Sequence, residues 1–98
     1  MNSKIISPEA DELFDAFLLL KNREECYEFF EDIATIQEIK ALSMRLQIAK
    51  RLYYHNETYE TISQEFGVSA STIGRVNNSL AYGSGGYKKI LERLKNEN

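Results

Sequence analysis

The sequence predicts an all-α protein of six helices, two of them joined as a helix-turn-helix. Three observations predict it. The 98 residues include one proline and only five glycines, so little interrupts helical segments. Between the breaks, apolar residues recur at three- and four-residue spacings, and no stretch alternates with period two as a half-buried strand would. Residues able to cap a helix stand before each periodic segment.

Ser7-Pro8-Glu9 puts a capping hydroxyl before a proline at the first helical position, where its missing N–H costs nothing. A first helix over 8–21 follows, with Leu13, Phe14, Phe17, Leu18, Leu19 and Leu20. Asn22 to Glu25 and Thr35 to Glu38 are capping boxes, a cap residue with a Glu three positions later satisfying otherwise orphaned N–H groups. They open a second helix over 23–34, carrying Cys26, Tyr27, Phe29, Phe30 and Ile33, and a third over 36–55, carrying Ile39, Leu42, Leu46, Ala49 and Tyr53. Thr58 and Ser69 cap a fourth helix over 59–66 and a fifth over 70–81. Gly83 to Gly85 break the chain before a last helix over 86–95.

At 11.3 kDa the chain suits a single domain over 1–98. Its expected parts are N-terminal dimerisation helices (1–35), a long central helix (36–55), the helix-turn-helix (59–81) and a C-terminal helix (86–98). The apolar faces of the first two helices are wider than one small core needs, which points to a homodimer. No apolar run approaches the ~20 residues of a membrane span. No apolar segment follows a basic start at Met1 to Pro8, so no signal peptide is expected. One cysteine excludes a disulfide framework and a Cys-based zinc site, and a cytoplasmic location is expected. The net charge of −3 conceals an asymmetry: residues 1–35 hold three basic residues against nine acids, whereas 36–98 hold nine against six. The pI near 5.2 argues against nucleic acid as a partner, and the basic C-terminal part weakens that objection.

The most informative segment runs from Tyr59 to Asn78. Two short helices crossing through a tight turn need a residue at positive φ, which Gly67 supplies without a Cβ penalty. Val68 plugs the gap between the helices, and Ser63 is small where they cross. Ile62 and Phe66 supply the inner face of the first helix, Ile73 and Val76 that of the second. The outward positions are then Ser69, Ala70, Ser71, Thr72, Gly74, Arg75 and Asn78. Small side chains there let the helix N-terminus approach base edges and phosphates of duplex DNA. Ala70 or the Thr72 methyl can meet a thymine methyl, and the hydroxyls can donate to or accept from several bases. Only Arg75 is charged, so shape and bridging water are expected to carry much of the specificity. A plain αα-hairpin, and a helix-turn-helix used for protein contacts without DNA, remain alternatives.

Through its flanks the segment resembles the tryptophan repressor superfamily, and within it the trp repressor-related branch. The resemblance runs from about Thr35 to Leu80 and more loosely to Leu94. It is carried by Thr35 with Glu38, Ala41 to Leu46, Gly67, Thr72-Ile73, Arg75 and Asn78-Ser79-Leu80. It implies an all-α homodimer whose N-terminal helices interlock, acting as a DNA-binding regulator with repression the expected sign. It further implies a small amino-acid-like effector held by Arg45 and Arg75, its ammonium near carbonyls of Ala34 and Thr35. Two departures stand out. The family glycine after the second arginine is Val76 here, which crowds an indole ring and argues against tryptophan. Positions that contact phosphate in the family read Glu60 and Ser63. The two arginines can instead clamp their helices to a neighbouring carboxylate, an alternative the sequence leaves open.

Other residues carry no chemistry on this reading. Cys26 lies on an aromatic face as a buried small hydrophobe. His55 suits a helix C-terminus, where the dipole favours a cation. The run Glu24, Glu25, Glu28, Glu31 and Asp32 reads as a solvated face. Tyr53, Tyr54, Tyr82 and Tyr87 read as core or interface residues. No catalytic triad, paired-carboxylate site, metal site or phosphate loop has a plausible context, so neither enzyme activity nor a cofactor is expected.

Overall fold

A computed structural model describes residues 4–97; residues 1–3 and 98, which the expected domain span includes, lie outside the described residues. The described chain forms α1 (Pro8–Leu18), α2 (Arg23–Ile33), α3 (Ile36–His55), α4 (Tyr59–Phe66), α5 (Ala70–Tyr82) and α6 (Gly86–Glu97), with no strand among these residues. It divides into two compact units, Met1–Ala41 and Leu42–Asn98, with the boundary inside α3.

In the first unit the caps read from sequence all form. Ser7 Oγ accepts from the Ala10 N–H at 3.0 Å, and Asn22 Oδ1 from the Glu25 N–H at 2.9 Å. Thr35 and Glu38 exchange both bonds of a capping box, at 2.8 and 3.1 Å. These bonds hold the Glu38 carboxyl below its ordinary pKa, chiefly because the Thr35 N–H donates to its charged form. The box at Asn22 closes differently: Glu25 Oε1 accepts from Lys21 N–H, one residue before the cap.

α1 ends at Leu18, three residues short of the expected 21. Leu19 and Leu20 donate to carbonyls only three residues back, tightening the last turn, and Asn22 must be extended (φ −158°) to cap α2. Phe17 packs on Phe29 and Phe30, with ring centroids 5.7 and 5.1 Å away, and Phe14 closes edge-on at 6.0 Å. Even so, no residue of α1 or α2 is fully buried. Cys26 is half-buried, and Phe14, Leu18, Leu19 and Tyr27 are exposed.

The second unit contains the buried core. Ile48 and Ala49 of α3, Ile62 of α4, Ile73 and Val76 of α5 and Leu91 of α6 form one cluster, and Leu80 is also buried. Each buried branched side chain contributes about 1.5–3 kcal/mol over its exposed state. Met44, Leu46, Leu52, Tyr53, Tyr54, Phe66, Val68 and Tyr87 pack around it. Ile48, absent from the face expected for α3, is thus at its centre, whereas Leu42, which was on that face, is half exposed. Tyr82, read as a core or interface residue, is 86% exposed at the end of α5 and so is not part of the core. Two tyrosines tie α3 to α6, Tyr54 donating to the Leu91 carbonyl and Tyr53 to Glu92 Oε1. The bond to the Glu92 carboxylate raises the Tyr53 pKa above that of a free phenol.

Candidate nucleic-acid interface

The interface is built on α4, its turn and α5. Thr58 caps α4 by accepting from the Thr61 N–H, and Ile62 anchors the helix in the core. Gly67 closes it in the left-handed region (φ 67°, ψ 34°), its N–H donating to the Ser63 carbonyl at 2.9 Å. Ser63 Oγ donates to the Val68 carbonyl at 2.6 Å, so the small residue at the crossing also fastens the turn. Val68 packs against the core. Ser69 then accepts from the Thr72 N–H at 3.2 Å and starts α5. Ile73, Val76 and Leu80 pull one side of α5 inward.

That burial fixes what α5 presents outward. Ser69, Ala70, Ser71 and Thr72 form an exposed first turn, and Arg75 and Asn78 are exposed farther along. Gly74 differs from the expectation: it is half-buried, and a Cβ there would touch the Tyr59 ring at 3.8 Å. That is ordinary contact distance, so Tyr59 of α4 lies beside Gly74 on α5 and covers part of it. Ser69 and Thr72 hydroxyls are 3.1 Å apart, which fixes the Thr72 side chain at the start of the helix.

Charge around the motif is arranged by a residue that no sequence signal singled out. Arg51 makes a two-pronged bond to Glu65, both contacts at 2.6 Å, reaches Glu57 at 3.1 Å, and lies 4.8 Å above the Phe66 ring. The fork lowers the Glu65 pKa and raises that of Arg51, whose largest cause is the bond to Glu65. Two of the three carboxylates of residues 57–65 are thereby paired; Glu60, exposed in the first turn of α4, is not part of the fork.

Beside the exposed turn lies a cleft of about 370 Å³, lined by Arg45 of α3, Ser71, Thr72, Arg75, Val76 and Ser79 of α5, and Tyr87 of α6. Arg45 and Arg75, the two residues to which the resemblance assigns an effector, both line this cleft. Neither makes an ion pair with a carboxylate of the described residues. Ala34 and Thr35 belong to the other unit, at the end of α2 and the start of α3. Among the described residues no group of three or more His, Cys, Asp or Glu is placed to hold a metal, and no helix is long and apolar enough to cross a membrane.

Comparison with known proteins adds the decisive observation: the sequence model of the Trp repressor protein family matches residues 8–95. The chain belongs to the Trp repressor protein family. Members are regulatory DNA-binding proteins, not enzymes. The chain is 46% identical over 92 residues to the uncharacterized protein YerC of Bacillus subtilis strain 168, covering 94% of this chain and 88% of that one. A Staphylococcus aureus crystal structure described as a candidate Trp repressor superposes with a TM-score of 0.88 at 50% identity, covering 95% of this chain and 92% of that one. A crystal structure of a TrpR-like protein from Eubacterium eligens ATCC 27750 gives 0.89 at 47% identity, covering 96% of both chains. Trp repressor membership thus fits the all-α helix-turn-helix fold and the trp repressor-like resemblance read from Thr35 to Leu80.

Proposed function

We propose that the protein is a homodimeric transcriptional regulator that reads a duplex DNA operator with α5 and represses. The observation that carries this reading is the geometry of α4, Gly67 and α5. A buried Ile73–Val76–Leu80 side forces a small, polar first turn outward, where its N–H groups and hydroxyls can meet phosphates and base edges. Ser69, Ala70, Ser71, Thr72, Arg75 and Asn78 are assigned to the DNA surface, with Gly74 in a supporting place under Tyr59. The homodimer is supported by exposed Phe14, Leu18, Tyr27 and Ile33 in α1 and α2, helices that contain no fully buried residue, and by exposed Leu19 and Ile36 next to them in sequence. Selecting duplexes from a random pool and measuring the salt dependence of the best one tests the function: log affinity should fall by about 0.9 per phosphate contact for each tenfold rise in salt.

The cleft supports a small effector held by Arg45 and Arg75, with Ala34 and Thr35 assigned by family resemblance. Tryptophan is not that effector on this reading, because buried Val76 adds an isopropyl group to the lining. A second reading, a protein-contact module without DNA binding, is favoured by one observation: α5 carries a single cation and Glu60 is exposed beside it. A duplex selection that enriches nothing supports that second reading over the first.

A further inference from the structure

We propose that Arg51 is a positioning residue for the DNA-reading turn: it ties both ends of α4 to α3 and so sets where Ser69 to Thr72 stand. This deepens the operator reading above and rests on it. From one guanidinium the side chain reaches Glu57, in the link before α4, at 3.1 Å, and takes Glu65, near the end of α4, through two contacts of 2.6 Å. The same group lies 4.8 Å above the ring of Phe66, the last residue before Gly67. The link is tied a second time, the Glu57 N–H donating to the Arg51 carbonyl at 3.4 Å. Entry and exit of one short helix are therefore held by a single residue of α3. The other bonds described for α4, at Thr58, Ser63 and Gly67, close within the motif and do not fasten it to α3. Arg51, Glu57 and Glu65 lie outside the residues that carry the family resemblance.

Geometry makes those ties matter. α4 has 8 residues, about 12 Å of helix, and one fully buried side chain, Ile62. A rod pinned at one point in its middle can still tilt, and Phe66 and Val68, only partly buried, fix its far end less firmly. α5 has anchors of its own in Ile73, Val76 and Leu80. Ser69 to Thr72 come before the first of them, so the turn that meets base edges takes its place from the end of α4. Arg51 acts at that end. A partly exposed ion pair contributes little to global stability, because water screens it and ordering two long side chains opposes it. A planar fork seated on both a carboxylate and an aromatic ring contributes direction instead, which a lysine ammonium cannot reproduce.

Arg51→Met, which keeps an unbranched stem and removes the fork, and Arg51→Lys, which keeps the charge alone, test the inference in the full-length protein. Without DNA, residual dipolar couplings report how the amides of residues 59–72 are oriented relative to those of residues 42–55 and of α6. In both variants the reference amides should keep one alignment and residues 59–72 should move off it. A wild-type orientation in Arg51→Met overturns the proposal. With DNA, anisotropy gives the ratio of affinities for a duplex selected from a random pool over a scrambled one. Both variants should lower that ratio about tenfold or more, the scale of one lost base contact, while the denaturant midpoint shifts little. If the ratio keeps its wild-type value and affinity falls only as far as the folded fraction falls, Arg51 has a merely structural part and the proposal fails. It fails equally if Arg51→Lys retains the wild-type ratio, since a bare charge then suffices. Failure of the operator reading shows separately, as wild-type anisotropy that responds to neither duplex, and the couplings measured without DNA still decide whether Arg51 sets the turn.

Discussion

Replacing Gly67 by valine perturbs the single backbone position on which the placement of α5 depends. Gly67 has φ 67° and ψ 34°, and its N–H is bonded to the Ser63 carbonyl. A Cβ built there meets nothing within 4 Å, so crowding contributes nothing and the whole cost is conformational. For alanine that cost is about 1–2 kcal/mol, and for a β-branched residue it reaches about 1–3 kcal/mol. In a chain of this size, each kcal/mol lowers Tm by about 4–8 °C at fixed protomer concentration. Gly67→Asn should cost less than Gly67→Ala, because asparagine visits the left-handed region more readily. Gly83 supplies the contrast. Its φ of −79° is ordinary, but a Cβ would lie 2.3 Å from the Ser79 carbonyl oxygen, so Gly83→Ala fails by collision and asparagine does not rescue it. Thermal unfolding and duplex anisotropy on the Gly67 series measure both consequences. An unchanged Tm and affinity for Gly67→Val, or asparagine as damaging as valine, would refute the assignment of strain to this turn.

Thr72→Ala should weaken binding by about 1–3 kcal/mol at particular base pairs of a selected duplex and leave others unaffected; equal loss on every sequence would place Thr72 on phosphate instead. The Glu65 pKa is depressed by its bond to Arg51, so the stability from this pair is fully present above the ordinary carboxylate pKa and is lost as pH falls through the lowered folded value. Acid unfolding curves should therefore flatten below pH 4.5 in Glu65→Gln, and an unaltered pH slope would show the fork to be energetically idle. Leu18→Asp, at a position 83% exposed in the described chain, should shift sedimentation equilibrium from dimer toward monomer. A wild type that sediments as a folded monomer at micromolar concentration would remove the dimer from the proposal.

What was legible in the sequence was local. The caps at Ser7, Asn22, Thr35, Thr58 and Ser69 depend on residues three positions apart, and the turn at Gly67 on one residue's freedom, so short-range patterns sufficed. The inner sides of α4 and α5 were legible because each short helix has one apolar side. α3 is different: apolar residues surround much of its twenty-residue length, and only the packing of α4, α5 and α6 decides that Ile48 is buried and Leu42 is not. The end of α1 was obscured for a similar reason, since Leu19 and Leu20 continue the apolar pattern while the extended backbone at Asn22 stops the helix. The Arg51 fork joins residues six and fourteen positions away, a separation that carries no periodic signature. Tyr87 reaches the cleft only because α6 turns back at Gly85, which the sequence marked as a break without giving its direction.

The central claim, that the exposed first turn of α5 reads duplex DNA, is tested most directly by anisotropy of the purified protein on a duplex selected from a random pool, against a scrambled duplex of the same length. At physiological salt the selected duplex should bind at least about a thousandfold more tightly, the lower end of the range for specific regulators. Thr72→Ala should erase part of that ratio while circular dichroism stays unchanged. Equal affinity for both duplexes, or no binding to either by folded protein at low salt, would contradict the claim.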